Sequence, residues 1–334
     1  MIISVRFTAG VLAAGFLLSL GLPVHAKHPC TSQEKAVANQ WLILSSRDRT
    51  QAIDKHLPWG APRPATPSGR EVMLVQQDYV IQYNGELRVP IWSAERVVAR
   101  NIGKVVRSEC FRSDHRLTSD AASTEDDYDE KIFDRGHLSP SAAFTSSRMA
   151  VQNSFIMSNM VPQFCQFNQG VWQILEGSSL IWAKQYEEIY VLNGSVFDRD
   201  DDGVRDPDNL ALRMTSRNGK TRVAIPSAFF KVVVVREPNG SLSTLSVMMP
   251  NNTTDLRGDE AFRYLNNHVV QLATIERVTG LELFPEARAE IKEATELWPL
   301  ALGPRDGRPE SLANKPECKE TARAYIRNGT YVLP

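Results

Sequence analysis

The 334-residue chain carries 38 basic and 39 acidic side chains, a formal charge of −1, and 42% of its residues are hydrophobic. That near-neutral balance lacks the strongly basic footprint of a domain built to wrap nucleic acid, although a local basic groove can sit on a neutral protein. No internal repeat or low-complexity tract appears, and a chain of about 300 residues can bury a large core as one domain or two.

The first segment, "MIISVRFTAGVLAAGFLLSLGLPVHA", has one basic residue, Arg6, then an apolar run, then Val24 and Ala26 at the −3 and −1 positions of a cleavage site. This predicts a signal peptide over 1–26, cut after Ala26, and export to the periplasm or the medium. The apolar run is short for a membrane anchor, Pro23 follows it, and no later stretch reaches the roughly 20 apolar residues of a spanning helix. Loss of Arg6 with this segment takes the basic count from 38 to 37 against 39 acids, a charge of −2.

Cys30, Cys110, Cys165 and Cys318 remain. An even cysteine count in an exported chain favours disulfides, and no two lie close enough to form the short-spaced pair of a zinc site. Three pairings are open, and the preferred one is Cys30–Cys318 with Cys110–Cys165.

Thr31 and Glu34 form a capping-box pattern ahead of "AVANQWLIL" and predict a short helix. "LPWGAPRPATPSG", 57–69, reads as a linker or extended arm. "DYVIQYNGELRVPIWSAERVV" gives two β-rich runs about Asn84-Gly85, a strong hairpin signal. The acidic, polar stretch 113–130 reads as a surface loop. From Asn168, "NQGVWQILEGSSLIWAKQ" places Val171, Trp172, Leu175, Ser179 and Trp182 at helical spacing. "EEIYVLNGSVF", "TRVAIPSAFFKVVVVRE" and "SLSTLSVMMPN" are strands, and "DEAFRYLNNHVVQLATIERVTG" is an amphipathic helix closed by Gly280. Strands and helices mix without regular βαβ alternation, which predicts α+β around a mainly antiparallel sheet.

Between these elements lies "KIFDRGHLSPSAAF", 131–144, with Asp134, Arg135, Gly136 and His137 in succession. The next stretch, "NSFIMSNMVPQFCQFNQGVWQILE", holds Asn159, Pro162-Gln163, Asn168, Trp172 and Glu176. Together these residues resemble the DNA/RNA non-specific endonuclease family, the ββα-metal nucleases. "YVLNGSVF", "VAIPSAFFKVV" and "MMPNN" extend the resemblance over about 70–295. It implies an α+β fold with a central, mainly antiparallel sheet between helical layers and a ββα-metal site element. The expected organisation is an N-terminal helix and Pro-rich linker over 27–69, the nuclease domain over 70–300 and a C-terminal extension over 301–334.

The resemblance also implies roles. His137 is the expected general base, suited by an unperturbed pKa of about 6.5 that leaves imidazole mostly neutral at working pH; a carbonyl is expected to hold its other ring nitrogen. Asn168 is the expected single direct protein ligand to Mg²⁺, an ion that keeps several waters and that Mn²⁺ can replace. Glu176, eight residues on, lies two turns and roughly 12 Å along a regular helix, which favours contact through metal-bound water over direct ligation. Arg135 and Arg112 are the expected phosphate contacts, and Asn159 supports the phosphate or the hydrogen bonds of the site. Asp134 fixes the loop, and Gly136 allows a close approach. The implied partners are DNA and RNA, gripped through the phosphate backbone and cut to 5′-phosphate ends.

"DRDDDGVRDPDN", 198–209, places Asp198, Asp200 and Asp202 at alternate positions before Gly203, with Asp206 at the ninth. That is the front of a calcium loop, but Asn209 stands where a bidentate glutamate is expected and no EF-hand helix pair flanks it. A calcium site and a solvated acidic loop both stay open. Two other functions do as well: a phosphodiesterase of the same fold with a narrower substrate, and a calcium-binding surface protein on a degenerate nuclease fold.

Overall fold

The computed structural model describes residues 29–66, 69–214, 223–287 and 290–300, with the backbone of 326–327 and 330–331. The expected signal segment, Cys318 and nearly all of 301–334 lie outside the described residues.

Helix α1 (Ser32–Gln40) starts with the expected capping box: Thr31 Oγ1 accepts from Glu34 N at 3.2 Å and Glu34 Oε2 accepts from Thr31 N at 2.9 Å. A second helix, α2 (Ser46–His56), precedes the Pro-rich stretch. That stretch is an arm packed on the domain: Trp59 is buried with its ring 4.8 Å from Tyr190, and Arg63–Pro64 pairs with Leu281–Glu282.

Strands β1 (Glu71–Val75), β2 (Val80–Asn84) and β3 (Val89–Val98) form a meander. The Asn84-Gly85 hairpin closes through four residues; Asn84 Oδ1 accepts from Glu86 N and Leu87 N, and Arg88 takes the left-handed conformation at φ 59°. Strands β4 (Phe133–His137) and β5 (Met160–Phe164) make a separate antiparallel ribbon, with helix α3 (Arg148–Ser154) in the connection between them. After β5 a helical turn, Cys165–Phe167, runs through a widened π-type turn, Asn168–Trp172, into helix α4 (Gln173–Gln185). Two strands followed by this helix are the ββα element.

Strands β6 (Glu188–Val196), β7 (Ala228–Arg236), β8 (Leu242–Pro250) and β9 (Ile291–Glu293) complete a seven-stranded sheet of order β9-β8-β7-β6-β3-β2-β1. Every pairing is antiparallel except β9 with β8. Side chains alternate between the two faces of a strand, so Glu95, Asn193, Phe229 and Lys231 share one face. That face meets the ββα element, where Phe229 packs on Phe167 and Trp172. The opposite face, with Ala94, Tyr190, Leu192 and Val234, is covered by α2 and the Trp59 arm. Gly194 is required there, because a Cβ would come within 2.1 Å of the Phe230 ring.

Three expectations are corrected. The single helix of 259–280 is two, α5 (Gly258–Asn267) and α6 (Leu272–Thr279); between them Met248 N donates to His268 O and Val270 N to Ser246 O, so backbone pairing with β8 displaces the helix. Gly280 closes α6 at φ 66°, as expected. The polar stretch 113–130 holds buried anchors: Asp114 is 2% exposed and pairs with Arg116 and Ser158, and Asp127 is fully buried. Both preferred disulfide pairings fall, because Cys30 is bonded to Cys110. Cys30 N donates to Glu109 O at 3.1 Å, which lays the N-terminal strand beside Cys110 and brings the two Cα atoms to 4.9 Å, within ordinary disulfide reach. Cys165 is also oxidised.

Candidate active site

His137 ends β4 opposite Met160 and is 8% exposed. Its ring meets the edge of Phe155 at 4.6 Å between centres, and its Nε2 has no hydrogen-bond partner among the described residues. The carbonyl expected to fix the tautomer does not appear among its described contacts, so packing against Phe155 orients the ring. Burial pushes its pKa well below the usual histidine value, and the positive charge of Arg107 adds to this. The side chain is therefore a neutral imidazole, the protonation state a general base requires, with the unpartnered Nε2 closed off from solvent.

Three residues before it, Asp134 points toward the helix. Its Oδ2 accepts from Asn168 Nδ2 at 2.8 Å and from Gln169 Nε2 at 2.7 Å. A carboxylate only accepts, so the Asn168 amide must turn its NH₂ to Asp134 and present its carbonyl oxygen elsewhere. Gly136 lies under the Gln163 side chain, whose Oε1 would be 1.9 Å from an added Cβ. The close approach expected at this glycine is thus made by a neighbouring side chain.

Asn168 and Glu176 do not lie on one regular helix. Gly170 has φ −110° and ψ −114°, which breaks the helical path between them; π-type turns of this sort are frequent at functional sites. Asn168 is half-buried, and so is Glu176. Burial pushes the Glu176 carboxyl up to about 7 against the pull of Lys231 and Arg107. A half-buried neutral amide oxygen with a carboxylate further along the same element fits a hard divalent cation that retains most of its waters.

Arg135, opposite Pro162 in the ribbon, projects over the Phe111 ring at 4.0 Å and pairs with Glu125 at 3.0 Å. It keeps 35% of its side chain exposed.

A model of the DNA/RNA non-specific endonucleases matches residues 62–290. This chain belongs to that family. The bovine mitochondrial endonuclease G (Bos taurus) is 32% identical over 293 residues, covering 84% of this chain and 95% of the relative. The human mitochondrial endonuclease G (Homo sapiens) is 31% identical over 216 residues, covering 64% of this chain and 70% of the relative. A crystal structure of endonuclease G in complex with its inhibitor superposes with a TM-score of 0.57 at 25% identity, over 71% of this chain and 93% of that one. The protein is a nuclease, an enzyme that hydrolyses nucleic acid.

In this nuclease two expected site residues serve the scaffold. Arg112 is 5% exposed, and its guanidinium donates to Asn39 Oδ1 at 2.7 Å, Cys110 O at 3.2 Å, Gln152 O at 2.9 Å and Asn153 Oδ1 at 2.5 Å. With its donors so engaged it is a buried strut and not a phosphate contact. Asn159 is fully buried; its Oδ1 accepts from Ser139 N, and its Nδ2 donates to Ser139 O and Ser154 O. It serves the hydrogen bonds of the site, locking the turn that follows His137, and not the phosphate.

The nuclease also holds an arginine that the sequence reading missed. Arg107 lies 4.8 Å over the Phe155 ring, the same ring that holds His137, and lowers the pKa of both His137 and Glu176. Its side chain is 49% exposed, pairs with Glu109 at 3.3 Å and donates to Ser141 Oγ at 3.4 Å. "VVRSECFR" holds two arginines five residues apart, and the resemblance pointed to the second. Of the missed buried residues Glu95 and Lys231, the second left a clearer mark: it is a lone charge inside the apolar strand "AFFKVVVV", whereas Glu95 stands beside Arg96 in "WSAERVV".

At the acidic loop, carboxylate oxygens of Asp198, Asp200 and Asp202 lie within 4.8 Å of one another. Asp206 is not part of this group; its Oδ2 accepts from Arg199 N at 2.8 Å. Among the described residues no helix is long and apolar enough to cross a membrane.

Proposed function

We propose that this nuclease is an exported, Mg²⁺-dependent endonuclease that cuts DNA and RNA with little sequence preference and leaves 5′-phosphate ends. The observation that carries the reading is the hydrogen bond by which Asp134, in the same ribbon as the buried, neutral His137, takes the Asn168 amide nitrogen and leaves the amide oxygen for a cation. His137 takes the proton from the attacking water. Arg135 and Arg107 bind the scissile phosphate, whose charge grows in the transition state, and planar guanidinium donors suit it. When bound at Asn168, Mg²⁺ supplies Lewis-acid stabilisation of the developing charge. Glu176 orients the water shell of that ion.

Backbone-directed cutting is supported by the character of these contacts: arginines and an ion recognise phosphate, which carries no base identity. Export is supported by the N-terminal segment and by the Cys30–Cys110 bond, since disulfides persist in oxidising compartments. The Asp198, Asp200 and Asp202 cluster supports a separate structural Ca²⁺ site, for which calorimetry with Ca²⁺ on wild type and Asp200→Ala is the test; equal binding, or none, removes it.

The direct experiment is plasmid nicking with Mg²⁺, with Mn²⁺ and with EDTA, followed by the same assay on RNA and end-group analysis of the products. Cutting of both nucleic acids that EDTA abolishes is the expected result. Cutting of single-stranded DNA alone would favour the narrower phosphodiesterase, and no cutting under any condition would overturn the reading.

A further inference from the structure

The proposed chemistry leaves unused a set of buried polar groups directly behind the site. Glu95, Asn193 and Lys231 come from the adjacent strands β3, β6 and β7 and are 0%, 0% and 1% exposed. Charged side chains are almost never buried to this extent without partners. These three are joined in a chain: Ser139 Oγ donates to Glu95 Oε2 at 2.6 Å, Asn193 Nδ2 donates to Glu95 Oε1 at 2.9 Å, and Lys231 Nζ donates to Asn193 Oδ1. The ammonium group then lies 4.9 Å from the centre of the Trp172 ring, a cation–π distance.

The two ends of this chain belong to different halves of the site. Ser139 follows His137 by two residues, and Asn159 grips its backbone N–H and C=O. Trp172 stands midway between Asn168 and Glu176, four residues from each. The base is thus carried by the ribbon and the metal ligand by the helix. Ribbon and helix meet directly at the Asp134–Asn168 hydrogen bond; the central sheet adds a second link through side chains, and it does so with two charged groups on a face where Ser93, Ser195, Phe229 and Val233 are uncharged. A buried charge pair is commonly no more stable than an apolar replacement, so packing alone gives little reason for it.

We propose that Glu95, Asn193 and Lys231 form a positioning bridge that fixes the His137 loop relative to the Asn168 helix, with Lys231 as the span that reaches the helix. The bridge rests on the nuclease reading above. None of its members touches substrate. It acts by holding the base and the cation site at one separation, and a misplacement of about 1 Å can cost on the order of 10²-fold in rate.

Steady-state kinetics with Mg²⁺ and a fluorescent DNA duplex tests this, beside thermal unfolding. Ser139→Ala cuts the loop end of the bridge without changing a charge. It is expected to lower kcat about tenfold while KM stays within about twofold and Tm within a few degrees. Lys231→Met takes the compensating charge from the Glu95 carboxylate and the pull on Glu176 as well, and is expected to lower Tm as well as kcat, so its kcat alone does not decide. The Glu95→Gln/Lys231→Met double variant removes both charges and is expected to recover Tm but not kcat. Wild-type kcat in Ser139→Ala, or in a double variant of recovered Tm, overturns the proposal; if the double variant does not fold, Ser139→Ala decides alone. A wild-type protein without nuclease activity overturns the functional reading and the bridge with it, whereas an active wild type matched by Ser139→Ala overturns the bridge only.

Discussion

Asp134 Oδ2 accepts from Asn168 Nδ2 at 2.8 Å, and this one contact decides which atom of the amide is left for the proposed cation. An asparagine free to rotate would offer nitrogen as readily as oxygen. Groups that orient a metal ligand typically change affinity by about 10–100-fold when removed. Asp134→Ala is therefore expected to move the Mg²⁺ activation curve upward by about that factor, with much of the rate regained at high Mg²⁺. An unchanged curve would show that Asn168 needs no orientation.

Arg107 and Arg112 are expected to separate cleanly. Arg107→Ala, at an exposed position, is expected to lower kcat/KM about 10²-fold, the scale of one lost transition-state donor, and to change stability by no more than about 0.5 kcal/mol. Arg112→Met leaves buried acceptors on Asn39, Gln152 and Asn153 unsatisfied and is expected to cost about 2–4 kcal/mol in denaturant unfolding. The opposite pattern would return Arg112 to the phosphate.

The Cys30–Cys110 bond closes 80 residues of sequence separation and ties α1 to the wall of the site formed by Phe111 and Phe155. A loop of this size stabilises the fold by about 4 kcal/mol through restriction of the unfolded chain. Cys30→Ser/Cys110→Ser is expected to lose about that amount, and the denatured, unreduced wild type is expected to show almost no titratable thiol. A variant as stable as the wild type would contradict this.

Much of the fold was legible because its signals are local. The strands around Val191, Val233 and Leu245 are β-branched and apolar, and Thr31 with Glu34 is a complete cap within four residues. The rest depends on partners distant in sequence. His268 to Val270 are compatible with a helix until β8 offers backbone pairing. Asp114 looks solvated until Ser158, 44 residues on, is seen donating to its Oδ2 at 2.6 Å. The site divides in the same way: the ribbon motif marked His137 and Asn168, but whether Arg107 or Arg112 faces outward depends on where Asn39 and Gln152 lie. Disulfide pairing is likewise a property of three-dimensional proximity, and the sequence held no trace of it.

His56 offers a pH test apart from the site. It is 3% exposed; its Nδ1 accepts from Arg96 N at 3.0 Å and its Nε2 donates to Gln77 O at 3.0 Å, a neutral tautomer. Burial, with Lys55 nearby, pushes its pKa down to about 3. Below an unfolded value of about 6.5 the unfolded chain binds a proton that the folded chain refuses, so stability falls as pH drops from about 6.5 toward 3. At pH 5 the loss is about 2 kcal/mol relative to neutral pH. In His56→Gln the decline between pH 7 and 5 is expected to be shallower by that amount, and parallel curves would contradict it.

The central claim is that His137 is the base and Asn168 holds the ion, and initial rates against Mg²⁺ concentration for His137→Ala and Asn168→Ala test it most directly. His137→Ala is expected to lower turnover by roughly 10²–10⁴-fold at every Mg²⁺ concentration, with the midpoint of the metal curve and DNA binding preserved. Asn168→Ala is expected to lose most activity at low Mg²⁺ and to shift its midpoint upward, because mass action partly offsets a weakened ligand. A His137→Ala enzyme rescued by excess Mg²⁺, beside an Asn168→Ala enzyme with the wild-type metal curve, would contradict the assignment.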